Sequence, residues 1–162
     1  MGASRILILD SYGRILIHDF GKKITRAIEG EKDIKLISGG CIDSKNFYVL
    51  LGDNTVLSYD IDSEKFNEEK KIDNVKYLAS CRSLKGFFSA TDNCISRHES
   101  LSGAASASVE FDDEITCLMN NQEFLFCGGA KGMLGVYSCI NCEMLKLFNN
   151  TPNRISCIGI QE

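Results

Sequence analysis

The chain has 162 residues, of which 44% are hydrophobic and 25% are charged, with a formal net charge of −4. These values are typical of one folded domain spanning residues 1–162, and they argue against direct nucleic-acid binding, which needs clustered positive charge. The apolar runs are too short for a membrane helix and the first residues lack the apolar stretch of a secretory signal, so we expect an intracellular protein of the cytoplasm or nucleus without membrane contact.

Short apolar segments separated by turn residues follow one another along the chain, which is the pattern of β-strands. The first unit contains three such segments, at 5–10, 13–19 and 22–28. The second unit is predicted to contain four: a strand at 34–38 that ends at Gly39-Gly40, strands at 46–51 and 55–61 around a tight turn, and a polar stretch at 63–73. Glu and Lys at helical spacing make a solvated helix the alternative for that stretch, but its large apolar content is limited to Phe66, and a polar outer strand fits the repeat better.

Two independent markers recur with one period. The first is a β-branched residue, two residues of any type and an aliphatic or similar residue, and it begins at Ile34, Val75, Ile115 and Ile155, at spacings of 41, 40 and 40. The second is an apolar segment whose equivalent positions are His18, Tyr59, Arg97 and Tyr137, at spacings of 41, 38 and 40. A shared period of about 40 residues predicts a structural repeat.

The repeats resemble WD repeats, in which an aliphatic strand and a Gly-rich turn region precede a strand that ends in Trp-Asp. The Trp position would hold His18, Tyr59, Arg97 and Tyr137, and the Asp position Asp19, Asp60, His98 and Ser138. The chain contains no Trp and lacks the Gly-His pair that often opens such repeats. The resemblance implies an all-β fold, a WD-repeat-like β-propeller of four blades with four strands each.

The last apolar segment, at 155–160, matches the strand that the first unit lacks. Counting it gives sixteen strands, or four for each of the four predicted blades. Two arrangements follow. Either this strand completes the first blade and closes the ring, or the chain forms an open partial ring that another chain completes.

Catalytic and metal-binding patterns are weak in this sequence. We expect structural, hydrogen-bonded roles for the two histidines, His18 and His98, and a turn rather than a zinc site for Cys139-x-x-Cys142, because a structural zinc ion needs about four ligands. Gly128 to Gly132 is expected to form a hairpin turn. Cys117 and Cys157 occupy equivalent positions that are expected to pack in the core, and most of the eight cysteines are expected to be reduced. We therefore predict no cofactor, no metal and no enzyme activity.

Three functions agree with this reading. The first is a non-catalytic protein–protein interaction scaffold or complex subunit, since propellers present loops on a rigid ring. The second is a partial propeller that strands from a partner chain complete. The third is a small-ligand binder or enzyme that uses the central channel.

Acidic residues dominate one set of predicted loops. By resemblance to WD repeats, the loops that join successive units share a face with the turns between second and third strands. That face is expected to steer a basic protein segment. The candidate partner-binding residues on it are Asp53, Asp73, Asp92, Asp112, Asp113 and Glu114.

Overall fold

A computed structural model describes residues 5–9, 14–28, 37–42, 45–80, 85–149 and 152–159. Fifteen β-strands account for its regular structure, and these residues contain no helix. A helix long and apolar enough to cross a membrane is accordingly absent from the described ranges.

The strands form four antiparallel sheets in chain order, numbered here sheet 1 to sheet 4. Sheet 1 contains β1 (Arg5–Leu9), β2 (Ile15–Asp19) and β3 (Ile24–Ile28). Sheet 2 contains β4 (Ile37–Ile42), β5 (Asn46–Leu51), β6 (Thr55–Asp60) and β7 (Lys65–Lys71). Sheet 3 contains β8 (Tyr77–Ser80), β9 (Phe87–Ala90), β10 (Cys94–His98) and β11 (Ala107–Glu110). Sheet 4 contains β12 (Ile115–Asn120), β13 (Phe124–Gly129), β14 (Leu134–Ser138) and β15 (Met144–Phe148).

Each sheet is a meander in which neighbouring strands pair in sequence order. The outermost turns repeat one backbone conformation: Lys23, Glu64 and Cys142 all have positive φ, at 55°, 56° and 58°. Each lies five residues beyond His18, Tyr59 or Tyr137, so the repeat extends from the strands into the turns. The polar stretch of the second unit is strand β7, which confirms the strand prediction over the helical alternative.

The sheets stack face to face, and the core lies between them. Sheets 1 and 2 meet through Ile15, Val49 and Leu57. Sheets 2 and 3 meet through residues such as Tyr48 and Phe87, whose rings are 4.5 Å apart. A larger cluster between sheets 3 and 4 includes Phe88, Ile95, Leu125 and Tyr137. A middle sheet must therefore be apolar on both faces, which is why residues 47–50 form one unbroken buried run.

The register corrects the predicted repeat in two units. Gly39 and Gly40 lie inside β4 rather than in a turn after it. Ile37 pairs with Leu51 just as Ile115 pairs with Gly129, and a β-bulge follows both. The first marker of the second unit is thus Ile37, three residues beyond the predicted Ile34, which lies outside the described residues.

The third unit was also predicted one residue out of register. His98 pairs with Phe87, as Tyr59 pairs with Phe47 and Tyr137 with Leu125. The Trp position of this unit therefore holds His98 rather than Arg97, and the Asp position holds Glu99. Sequence spacing could not distinguish these neighbours, because both are polar and only the strand pairing shows which one faces sheet 2.

Sheet 1 has three strands, and the described residues of the 152–159 segment belong to no sheet. The inner strands contact one another from β4 to β8 and from β8 to β12, β1 meets β4 more narrowly, and no comparable contact joins β12 to β1 among the described residues. The described residues therefore form an open arc rather than a ring closed by this strand, and completion by another chain stays a prediction. The remainder of the predicted strand, residues 160–162, lies outside the described residues.

Candidate interaction surface

One open pocket collects most of the predicted acidic residues. It is lined by Asp92, Asn93, Glu110, Phe111, Asp112, Asp113, Glu114 and Lys131 and is called the acidic pocket below. Its volume of about 710 Å³ is large enough for an extended side chain of a partner. The structure thus brings together Asp92, Asp112, Asp113 and Glu114, four of the six predicted residues.

Backbone hydrogen bonds fix the loops around this pocket. The N–H of Ile115 donates to the carbonyl oxygen of Asp92, and the N–H of Ala130 donates to that of Glu114, at 2.6 and 2.9 Å. The loop that joins sheets 3 and 4 is therefore tied to the central turns of both sheets. At this junction, the loop that joins two units and the turns between second and third strands therefore lie on one face, as predicted.

Asp113 has a structural role in the acidic pocket and contributes little to its surface. Its side chain is only 4% exposed. Its two carboxylate oxygens accept hydrogen bonds from the backbone N–H groups of Glu114 and Lys131, each at 2.7 Å. A Cβ atom at Gly129 would collide with this carboxylate. Asp113 therefore joins the loop to the turn of sheet 4 and offers little charge to a partner.

Lys76 partly neutralises the pocket from the preceding loop. Its ammonium pairs with Asp92 and lies 3.8 Å from a carboxylate oxygen of Glu114. The hydrogen bond to Asp92 raises the pKa of Lys76. Asp112 and Glu110 are exposed and add further negative charge to the pocket.

The other two predicted residues, Asp53 and Asp73, lie outside the acidic pocket. Asp53 accepts a 3.0 Å hydrogen bond from the backbone N–H of Thr55, and hydrogen bonds from Thr55 lower its pKa. Asp73 is exposed in the loop after β7, next to Ile72, whose N–H donates to the carbonyl oxygen of Asn54. Both therefore belong to the equivalent loop and turn of sheet 2.

The two ends of the stack expose apolar surface that sequence reasoning missed. On sheet 1, Ile6 and Ile8 are 44% and 38% exposed, and they pair with His18 and Leu16. Since Ile15 and Ile17 cover sheet 2, the residues between them face away from it. We call the surface of Ile6, Ile8, Leu16 and His18 the sheet 1 open face.

Sheet 4 has a matching surface at the other end. Leu125, Cys127 and Tyr137 pack toward sheet 3, so the alternate residues point away from it. The sheet 4 open face comprises Met119, Phe124, Phe126, Leu134 and Val136, all of which are half-buried or exposed. The sequence could have predicted both surfaces, because apolar residues in these strands occupy the positions that face the neighbouring sheet and also the alternate positions that face away from it.

The buried polar pair of sheet 3 is structural. His98 Nε2 and Ser89 Oγ are 2.9 Å apart, and the imidazole stacks on Phe87 at 4.7 Å. Burial, with a smaller contribution from Lys70, lowers the pKa of His98 to about 4. His18 Nδ1 lies 2.9 Å from Thr25 Oγ1. Both contacts agree with the hydrogen-bonded roles predicted for the two histidines.

Other predicted motifs also have structural roles. Cys139-x-x-Cys142 forms the turn between β14 and β15, and Gly128 to Gly132 spans the hairpin between β13 and β14, as predicted. At the Asp position, Asp60 Oδ1 accepts backbone hydrogen bonds from Asp62 and Ser63, and Asp19 accepts one from Lys22. The described ranges contain no cluster of three or more potential metal ligands.

The packing prediction for Cys157 is wrong, because its side chain is exposed. Its counterpart Cys117 is partly covered and lies within sheet 4. The difference arises because Cys117 lies in β12, whereas the described residues 152–159 belong to no sheet.

Comparison with known proteins identifies the architecture. No protein-family model and no curated protein matches this sequence. A chain of the crystal structure of the mitotic checkpoint complex superposes with a TM-score of 0.71 at 12% identity, over 96% of this chain and 53% of that one. Raptor from Chaetomium thermophilum gives 0.73 at 16% identity, over 92% and 15%. The computationally designed Ika8 protein gives 0.77 at 13% identity, over 100% and 51%.

The chain has a β-propeller fold. Its four sheets are four consecutive propeller blades, of which the first has three strands and the others four in the part of the chain that the structure describes. The chain spans about half the length of the checkpoint-complex and Ika8 chains that it matches. The likeness concerns the fold, and one of these neighbours is a chain of a protein complex, the mitotic checkpoint complex.

Proposed function

We propose that this chain is a non-catalytic, intracellular subunit of a protein complex, an interaction scaffold whose ring is completed by strands from a partner chain. The observation that carries the proposal is the pair of apolar open faces at the two ends of the stack. Large exposed apolar patches mark interaction sites. A sheet that lacks its inner strand is also a template for strand addition.

The junctions between neighbouring blades of this molecule give the physical basis of the proposal. Each internal junction between blades buries aromatic and aliphatic side chains from both sheets, as Tyr48 and Phe87 do. Apart from His18, the two open faces carry residues of the same kind. Covering them would contribute about 25 cal/mol for each Å² of apolar surface removed from water. A partner that supplies this cover gains stability that the isolated arc lacks.

The acidic pocket extends the proposal to a second contact. We propose that Asp92, Asp112 and Glu114 receive a Lys- or Arg-rich segment of a partner, with Asp53 and Asp73 continuing the acidic surface along the same set of loops. Complementary charge mainly accelerates association and selects partners, and its effect decreases as salt screens it. Asp113 holds the pocket in shape.

Affinity purification of the tagged chain, followed by mass spectrometry, tests the complex-subunit proposal. We expect at least one other protein to be recovered in stoichiometric amount at low salt. A chain recovered without any stoichiometric companion under these conditions would contradict the proposal.

Charge reversal tests the acidic pocket. Asp112→Lys with Glu114→Lys should slow association with the recovered partner and reduce the salt dependence of that association. The matched control is Asp62→Lys with Glu123→Lys, which makes the same charge change at exposed positions. These lie in the turns between β6 and β7 and between β12 and β13, at the opposite edge of the sheets. If the two double variants bind alike, the acidic pocket is not the contact.

A further inference from the structure

The inner strand position of sheet 1 is vacant in the described structure. β1 contacts β4 in the way that β5 contacts β8, so β1 corresponds to the second strand of a blade rather than to the first. Sheets 2, 3 and 4 each place one further strand on the inner side of that position. The first blade thus needs one inner strand to match the others.

The same chain carries an inner-strand segment that has no sheet. Ile155 donates its N–H to the carbonyl oxygen of Gly129, as Ile115 donates to Asp92 at the start of β12. Its own carbonyl oxygen accepts a hydrogen bond from the Thr116 hydroxyl. Residues 155–158 also match 115–118 in sequence pattern. The segment therefore begins as an inner strand does, against sheet 4, but it pairs with no second strand among the described residues.

Sheet 1, which has no inner strand in the described residues, and the segment 155–159 lie at opposite ends of one arc. In the described residues the segment contacts sheet 4, and sheet 1 retains three strands. The sheet 4 open face lies next to the segment 155–159, and the sheet 1 open face lies next to the inner edge of sheet 1. Each end therefore presents one half of a blade junction: an edge and an apolar face.

We propose that two copies of this chain close one eight-bladed ring, in which residues 155–159 of each copy form the inner strand of sheet 1 in the other copy. This inference deepens the proposed function by naming the ring-completing partner. The sheet 4 open face of each copy then packs on the sheet 1 open face of the other, through side chains such as Phe126 and Ile8.

A second copy fits better than an unrelated chain because the two ends are complementary. Among the described residues, one chain presents both an inner-strand segment outside any sheet and a sheet without an inner strand, so each copy can supply a strand to sheet 1 of the other. The four blades also cover 51% and 53% of the length of two chains that they match, so two such arcs together have about the length of one such chain. Head-to-tail contacts of this kind form a closed ring when their rotation closes, and two-fold closure is the commonest symmetry among soluble oligomers.

The purified chain alone tests this proposal. Light scattering after size-exclusion chromatography should give twice the chain mass of 17.9 kDa. Ile8→Asp on the sheet 1 open face and Phe126→Asp on the sheet 4 open face should each yield monomers. The control Ile140→Asp, at a 69% exposed position outside both faces, should stay dimeric.

Mixing the two variants gives the sharper result. Each variant alone has two damaged junctions, whereas a mixed pair has one junction with both faces intact. A 1:1 heterodimer should therefore appear on mixing, and native mass spectrometry would detect it. A monomeric wild-type chain, open polymers, a dimer indifferent to both variants, or folded variants that do not recover on mixing would each overturn the proposal.

If the variants do not fold, hydrogen exchange of the wild-type chain tests the dimer instead. Hydrogen exchange of the backbone amides of residues 156–159 should slow as chain concentration rises, because strand pairing protects them. Exchange independent of concentration would overturn the proposal. These measurements contain no other protein, so their failure would leave the affinity-purification test of the complex-subunit proposal standing.

Discussion

The backbone N–H of Ile155 donates a 3.0 Å hydrogen bond to the carbonyl oxygen of Gly129 in sheet 4. A Cβ atom at neighbouring Gly128 would lie 2.7 Å from both Ile155 Cγ2 and Cys117 Sγ, so the glycine is what permits this close approach. The segment thus adheres to the last sheet of the arc, where an inner strand of a next blade would begin.

Truncation before Ile155 is expected to leave the arc folded. The three internal junctions between sheets do not involve the segment, and Ile155 is only half-buried, so its direct loss costs about 1–2 kcal/mol. Circular dichroism should retain the β-sheet spectrum and a cooperative thermal transition. Loss of both would show that the segment supports the whole fold.

Asp113→Ala is expected to lower the free energy of unfolding by roughly 1–3 kcal/mol, because the buried Asp113 carboxylate no longer accepts hydrogen bonds from the backbone N–H groups of Glu114 and Lys131. The adjacent variant Asp112→Ala is the control. It removes an exposed carboxylate and should change stability by no more than about 0.5 kcal/mol. Urea unfolding measures both values, and equal effects would refute the structural role of Asp113.

Gly86→Ala is expected to destabilise the chain by at least about 3 kcal/mol. Gly86 has φ of 105°, and a Cβ atom there would collide with the backbone of His98 and Glu99. Gly39→Ala serves as the comparison, because nothing lies within 4 Å of the Cβ that it would add. Thermal melting of the two variants should separate them clearly, and similar melting temperatures would contradict the assigned geometry.

His98 should make stability decrease with acidity between pH 6.5 and about 4. Burial lowers the pKa of the folded-state imidazole from 6.5 to about 4, so in this window the unfolded chain binds a proton that the folded chain does not. The contribution is fully present above pH 6.5 and is lost as the pH falls through 4, by at most about 3 kcal/mol.

The control for this pH effect comes from the repeat itself. His98→Tyr introduces the residue found at the equivalent positions 59 and 137. Its stability should decrease less than that of the wild type between pH 6.5 and 4, since only the carboxylates common to both proteins still titrate. Identical pH profiles would show that His98 is not the titrating group.

The sequence by itself determined the period of the repeat, most of the strands and the number of sheets. These follow from local physics: apolar alternation of period two defines each strand, and Gly, Asn and Asp define the turns between strands. The predicted acidic loops of sheets 3 and 4 also meet around one pocket, because a repeat places equivalent loops at the same edge of successive sheets.

Only the tertiary structure decided the register, the role of each acidic residue and the state of the ring. Arg97 and His98 are both polar neighbours in one strand, and which one faces the core depends on pairing with Phe87. Asp112 and Asp113 are identical side chains in adjacent positions, yet one is exposed and the other is bonded to the turn around Lys131. The segment beginning at Ile155 has the pattern of an inner strand, but a strand exists only where a second strand is within hydrogen-bonding distance. That condition depends on the position of another sheet in space, which no local pattern encodes.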